Sequence, residues 1–84
     1  MIVLNVRHTL DFMSGGYEIE KKIERFAFRS GLRGTGYNNK PVKVKLEFNA
    51  ENRKQVNDFK RRVERSSMLE NAGISINISY EKIL

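Results

Sequence analysis

The sequence predicts an α+β fold in which a four-stranded antiparallel sheet carries two helices on one face. Residues 42–48 and 74–80 alternate apolar and polar side chains without interruption, as strands with one buried and one solvated face do. Residues 17–30 and 49–69 instead repeat apolar residues at helical spacing. A sheet with one apolar face needs a covering layer, and two amphipathic helices provide one.

Six elements are predicted along the chain. They are a strand at 2–8, a helix at 17–30, a short edge strand at 32–37, a strand at 42–48, a helix at 49–69 and a strand at 74–83. Gly31 ends the first helix, because glycine readily adopts the left-handed conformation that closes helices. Asn49 is predicted to be the N-cap of the second helix, and Asn71 and Gly73 to end it. This order is that of the ferredoxin-like, or split βαβ, sandwich.

Length and composition restrict the function. With 84 residues, 39% of them hydrophobic, the chain fits one domain spanning residues 1–84. It contains no Cys, so a disulfide framework, a thiolate metal site and a Cys nucleophile are excluded, and a cytoplasmic location is expected. No apolar run approaches the length of a membrane span, and neither a cofactor nor a metal is expected.

The charge favours an anionic partner. Sixteen Lys and Arg residues against ten Asp and Glu give a net charge of +6, which favours nucleic acid or an acidic protein surface. Residues 1–40 carry seven basic and four acidic residues and residues 41–84 carry nine and six, so each part contributes +3. The excess is therefore spread over the domain and does not form a basic tail.

The polar face of the sheet is the first candidate nucleic-acid-binding surface. In the predicted arrangement the first and third strands are central, and basic residues on or beside their outward faces are placed to neutralise phosphates. These residues are Arg7, Arg33, Lys40, Lys43 and Lys45. The alternative interpretation is an ordinary solvated face whose lysines prevent aggregation.

This topology resembles that of RNA-recognition-motif domains, which bind RNA on the open face of the sheet. Those domains place aromatic residues on the two central strands for base stacking. The outward positions here are Val3, Asn5, Arg7, Lys43, Lys45 and Glu47. Base stacking on the central strands is therefore not expected, and the resemblance is limited to topology.

The outward faces of the helices form a second candidate basic surface, on the opposite side of the domain. Its residues are Arg25, Arg29, Lys54, Arg61 and Arg65. Because both helices cover the same side of the sheet, their basic strips are expected to adjoin. Opposite charges at helical spacing, such as Asp58 with Arg62, also fit ordinary solvated helices.

A protein-interaction surface is the alternative to nucleic-acid binding. Its candidate anchors are Phe12, Met13, Tyr17, Phe28 and Tyr37. Phe28 projects away from the apolar stripe of the first helix, so it is either a contact residue or a residue that packs under the second strand, and packing is favoured. Such a module, an inhibitor or adaptor, would dock on an acidic surface of a larger protein. Homodimerisation through the 32–37 edge fits either function.

Catalysis is not expected. His8, Asp11 and Ser14 are close in sequence, but their spacing matches no catalytic motif, and His8 continues the inward parity of the first strand. We therefore predict a buried, hydrogen-bonded histidine. The sequence as a whole predicts a small basic non-enzymatic binding protein, with a nucleic-acid-binding accessory or regulatory role first and protein interaction as the alternative.

Overall fold

The computed structural model describes residues 1–9, 15–40, 43–70 and 72–81, with residues 35–40, 43–45 and 68 described by their backbone. Within these ranges it has four strands, two α-helices and a 3₁₀ helix. The elements are β1 (Ile2–His8), α1 (Gly16–Arg29), β2 (Arg33–Lys40), β3 (Lys43–Ala50), α2 (Arg53–Glu64), the 3₁₀ helix (Ser67–Leu69) and β4 (Ser75–Glu81). Neither described α-helix is both long and apolar enough to cross a bilayer. The predicted α+β class, with an antiparallel four-stranded sheet and two helices, is confirmed.

Strand β1 lies inside the sheet and pairs antiparallel with β3 on one side and β4 on the other. Strand β2 pairs antiparallel with β3, so the strand order is β2-β3-β1-β4. Leu4 lies opposite Phe48 and Ile78, and Val6 lies opposite Leu46 and Ile76. Inward residues of three strands thus share one face, because side chains alternate along each strand.

The core lies between this face and the helices. Its strand residues are Ile2, Leu4, Val6, Leu46, Phe48 and Ala50, and its helix residues are Ile19, Ile23, Ala27, Val56, Phe59 and Val63. Phe59 is fully buried, and its ring centroid lies 5.8 Å from that of Phe48 in a tilted arrangement. Aromatic pairs of this geometry add to the free energy gained by burial alone. Helix α2 is thereby fixed against β3.

Gly31 ends α1 as predicted. The Leu32 N–H donates to the Ala27 carbonyl at 2.9 Å, and the Gly31 N–H donates to the Phe28 carbonyl at 3.1 Å. This pair of hydrogen bonds forms when the residue after the helix adopts the left-handed conformation, and Gly31 does so with φ +85°. The left-handed backbone is what favours glycine here, because the nearest atom to a Cβ at Gly31 would be the movable end of the Gln55 side chain, Nε2 at 2.8 Å.

The N-cap of α2 is Asn52, and the prediction of Asn49 was wrong. The Asn52 side chain accepts a hydrogen bond from the Gln55 N–H at 3.0 Å. Asn49 instead lies within β3, opposite Val3 and Arg33. Both asparagines are suited to capping, and the length of strand pairing determines which of them does so.

Three other boundaries differ from the prediction. The second strand extends beyond 32–37 to Lys40, which removes part of the predicted turn. Helix α2 ends at Glu64, not near Leu69, and the 3₁₀ helix follows it after a short break. Strand β4 begins at Ser75 and is described to Glu81, while Ile83 lies outside the described residues.

A bulge in β4 interrupts the alternation of faces that the apolar–polar pattern of residues 74–80 predicts. Val3 pairs with Tyr80 and Leu4 pairs with Ile78, so Ser79 is the extra residue. The bulge reverses the faces of the residues beyond it. Tyr80 lies on the face of Val3, whereas Glu81 lies on the helix side. There the Arg53 guanidinium donates to both Glu81 carboxylate oxygens, at 3.0 and 2.5 Å.

We predict that Asn52→Ala lowers the free energy of unfolding by about 1 kcal/mol, because it removes the cap of the Gln55 N–H. Urea unfolding monitored by circular dichroism measures the change. Asn57→Ala is the matched control, since Asn57 is exposed in the same helix and alanine has the higher helix propensity. Equal losses in the two variants would contradict the assignment of the cap.

Candidate functional site

The sheet face opposite the core, called here the open face, brings several predicted binding residues into adjacent positions. Arg7 is exposed on β1 and pairs with Lys45 on β3 and Ser75 on β4. Arg33 is exposed at the start of β2, opposite Asn49. The backbones of Lys40 and Lys43 pair with each other at the far end of the β2–β3 ladder. The face is not purely cationic, because Glu47 lies between these basic positions, opposite Asn5.

Tyr80 adds an aromatic ring to the open face. It is 55% exposed, and the Ser79 bulge places it opposite Val3. The Ser79 hydroxyl donates to the Val3 carbonyl at 3.3 Å, which supports the bulge. The sequence predicted an open face without aromatic residues on its central strands, and the aromatic residue found there belongs to an edge strand.

Asn5 is buried on the open face. It is only 8% exposed, and its Oδ1 atom has no hydrogen-bond partner among the described residues. Its neighbours across the sheet are Glu47 and Asn77. A buried polar atom without a partner costs free energy, since the atom has lost its water and gained no replacement. The centre of the open face is therefore not optimised for stability.

A groove between the two helices collects basic side chains from both. This helix-side groove has a volume of about 460 Å³ and is lined by Lys22, Phe26, Arg62, Arg65, Ser66 and Ser67. None of these lining residues is acidic. The Lys22 ammonium lies 5.1 Å from the centre of the Phe26 ring, which holds it at the groove by a cation–π contact. The groove combines three cations with two hydroxyl groups.

A smaller depression of about 250 Å³ adjoins the helix-side groove. It shares Arg62 and Arg65 and adds Arg61 and Asp58. Arg61 Nη1 lies 3.8 Å from Asp58 Oδ1, but both side chains are exposed and such pairs are weak in water. Arg61 and Arg65, both predicted from the sequence, thus belong to one continuous basic surface.

The other predicted helix cations lie elsewhere. Arg29 and Lys54 are exposed, and Arg25 is exposed beside Phe28. The five predicted helix cations therefore do not form a single patch. Lys22 and Arg62, basic helix residues that were not among the five predicted site residues, complete the groove to which Arg65 belongs.

Phe28 is 81% exposed, so the prediction that it packs under the second strand was wrong. It borders a cavity of about 950 Å³ between α1 and the start of β2, called here the Phe28 groove. Tyr17 is 47% exposed, and the Lys21 ammonium lies 5.3 Å from its ring centre. The backbone of Tyr37 pairs with that of Leu46, while Phe12 and Met13 lie outside the described residues.

His8 is buried and hydrogen-bonded, as predicted. Its Nε2 atom lies 3.1 Å from Glu20 Oε1, and both side chains are almost fully shielded from solvent. The pair joins β1 to α1 within the core. Asp11 and Ser14, the other members of the sequence cluster, lie outside the described residues.

The five helix cations predicted as a site leave out Lys22 and Arg62, and the predicted open face leaves out Tyr80, for two different reasons. Helical spacing places Lys22 and Arg62 on outward faces, but it does not show which outward residues of two helices meet. A bulge leaves no mark on the alternating pattern of residues 74–80, so the face of Tyr80 follows only from the pairing with β1. The pair of serines after α2, Ser66 and Ser67, was a signal in the sequence for the end of the groove.

Comparison with known families gave no matching family model, and comparison with characterised proteins gave no matching sequence.

Replacing Asn5 tests whether its buried amide oxygen lowers the stability of the protein. Asn5→Val should raise the free energy of unfolding by about 1 kcal/mol, because it removes a buried amide oxygen without a partner among the described residues and adds a side chain suited to strands. Urea unfolding measures the change. Asn77→Val, at the exposed position across the pair, should alter stability by less than about 0.5 kcal/mol. A loss of stability in Asn5→Val would show that the amide is satisfied in solution.

Removing Glu20 should be costly. We expect Glu20→Ala to lower the free energy of unfolding by at least about 2 kcal/mol, because His8 then remains buried without this carboxylate. Glu24→Ala, one turn later on the exposed side of α1, is the control and should change stability by less than about 0.5 kcal/mol. Thermal and urea unfolding of both variants measure the difference, and similar stabilities would contradict a structural role for the pair.

Proposed function

We propose that this protein binds nucleic acid through backbone phosphates in the helix-side groove, as an accessory or regulatory protein without catalytic activity. The observation that carries the proposal is the convergence of Lys22, Arg62 and Arg65 on a groove whose described lining contains no carboxylate. Phosphate contacts of this kind supply affinity without reading base identity. We therefore expect little preference for base sequence.

The local electrostatics support this surface over the open face. In the groove, cations from two helices face one space, and Ser66 and Ser67 add hydroxyl donors at its end. On the open face, Glu47 lies among the basic positions and reduces the attraction for a polyanion. The net charge of +6 favours the approach of nucleic acid from any direction.

The proposal includes a finer description of the fold. The element order and the antiparallel pairings of β1 with β3 and β4 support a ferredoxin-like, split βαβ sandwich. In that arrangement the open face and the helix-side groove lie on opposite sides of the sheet. A cytoplasmic location fits a protein without cysteine that meets nucleic acid.

Salt-dependent binding of a fluorescein-labelled single-stranded DNA, a duplex DNA and an RNA tests the proposal. Three phosphate contacts predict a slope of about −2 to −3 in a plot of log affinity against log salt, or roughly a ten- to fiftyfold loss between about 50 and 200 mM salt. The double variant Lys22→Gln and Arg62→Gln should reduce the magnitude of this slope by about 2, since each lost contact removes about 1.

The control is a double variant that loses the same two positive charges on the other side of the sheet. The double variant Lys43→Gln and Lys45→Gln alters two open-face register positions and should leave the slope nearly unchanged. If the sheet variant loses binding and the helix variant keeps it, the open face is the interface. If the unmodified protein binds none of the three nucleic acids at low salt, nucleic-acid binding is excluded.

A further inference from the structure

The Phe28 groove is not used by the proposed phosphate contacts, and its chemistry is different. Phe28 contributes the exposed apolar surface, and the edges of three core residues, Leu32, Leu46 and Phe48, form the floor beneath it. The volume of about 950 Å³ is in the range of sites that enclose a small ligand or an anchoring side chain. We propose that this groove binds a short acidic peptide segment of a partner protein, with one aromatic or large aliphatic side chain inserted beside Phe28.

Exposure of Phe28 provides the anchor for such a contact. A phenylalanine that is 81% exposed on a folded helix contributes little to stability, and buried aromatic anchors contribute strongly to binding. The Cβ of Phe28 is held rigidly, because the next turn closes through the Gly31 N–H bond to the Phe28 carbonyl. Only the side-chain torsions of Phe28 must then be ordered when a partner covers this ring, which limits the entropy cost of binding.

Gly34 keeps the groove open. It lies opposite Phe48 in the β2–β3 ladder, where a side chain would extend over the floor. A Cβ built at Gly34 would meet Phe48 Cε1 at 3.9 Å, which is ordinary van der Waals contact, and its backbone is not left-handed. A ligand can therefore occupy the space beside Phe48, and a side chain introduced at Gly34 would fill it.

The rim charges favour an acidic partner, because the three cations of the lining outnumber its two carboxylates, Glu24 and Glu47. Lys21, Arg25 and Arg33 line the groove, and no ion pair among the described residues engages any of them. Lys21 and Arg25 are one helical turn apart, where like charges repel and destabilise the helix slightly. Carboxylates of a bound peptide would relieve this repulsion.

The same lining disfavours two other occupants. Glu24 and Glu47 also border the groove, so a strand of nucleic acid, with a phosphate at every nucleotide, would meet repulsion that isolated peptide carboxylates can avoid. A second copy of this chain carries the same net charge of +6 and would bring further cations to the rim. An acidic peptide with one apolar anchor fits the apolar floor and the mixed rim together.

Selection from a random peptide library displayed on phage tests the proposal. The immobilised full chain is the bait, and soluble Phe28→Ala protein in excess removes peptides that bind elsewhere. We expect enriched peptides to carry Asp or Glu around a single aromatic or large aliphatic residue. The affinity of a labelled enriched peptide, measured by fluorescence anisotropy, should fall at least about tenfold in Phe28→Ala and in Gly34→Leu.

Tyr80→Ala is the control, because it removes an exposed aromatic ring from the open face and should leave peptide affinity within about twofold. Phe28→Ala should retain the unfolding midpoint of the unmodified protein, since the ring is exposed. If Gly34→Leu unfolds, Arg25→Glu replaces it and should weaken the acidic peptide by at least about tenfold.

Three results would overturn the proposal. One is the absence of enriched peptides under these conditions, and another is equal affinity of enriched peptides for all variants. The third is a Phe28→Ala variant whose peptide affinity is unchanged but which no longer binds labelled DNA, or no longer self-associates as measured by mass in solution. Peptide and DNA binding are measured on the same variants, so failure of this site and failure of the helix-side groove are distinguished.

Discussion

The whole arrangement depends on the pairing of β1 with strands on both sides. Its inward residues lie opposite Leu46 and Phe48 on one side and Ile76 and Ile78 on the other. Because side chains alternate, a slip of one residue in β1 would turn the apolar side chains of the central strand towards solvent. The positions of both helices follow from this face, since they cover the apolar surface that it presents. The same alternation directs the remaining side chains of β1 to the opposite side of the sheet, where they form part of the open face.

The sequence predicts those features of the elements that a local pattern determines. It does not predict the features that depend on how the strands pair. The alternation of β1 and β3 and the end of α1 at Gly31 are properties of short segments, and they were predicted correctly. The cap of α2 depended on how far β3 remains paired, which favoured Asn52 over Asn49. The Ser79 bulge arises from the fit of β4 to β1, so an unbroken alternating pattern concealed it.

The same distinction applies to the candidate sites. Composition and helical spacing identified most of the surface cations, including Arg61 and Arg65. The helix-side groove is a relation between two helices, and it depends on which turn of α1 faces the end of α2. The exposure of Phe28 likewise depends on where β2 begins relative to α1. Spacing within one helix carries no information about either relation, so the sites could be assembled only from the tertiary structure.

Two polar residues of β1 show how the two faces differ. His8 points inward, where burial requires a partner, and Glu20 from α1 supplies one. Asn5 points to the open face and is also buried, yet its Oδ1 atom has no partner among the described residues. Buried polar atoms without partners are rare in stable proteins and are often found where selection acts on something other than stability. The helix side offers cations from two helices that face one groove, whereas the open face offers Tyr80 and an amide whose buried oxygen has no partner among the described residues. Phosphates, which need only positive charge, are better suited to the former.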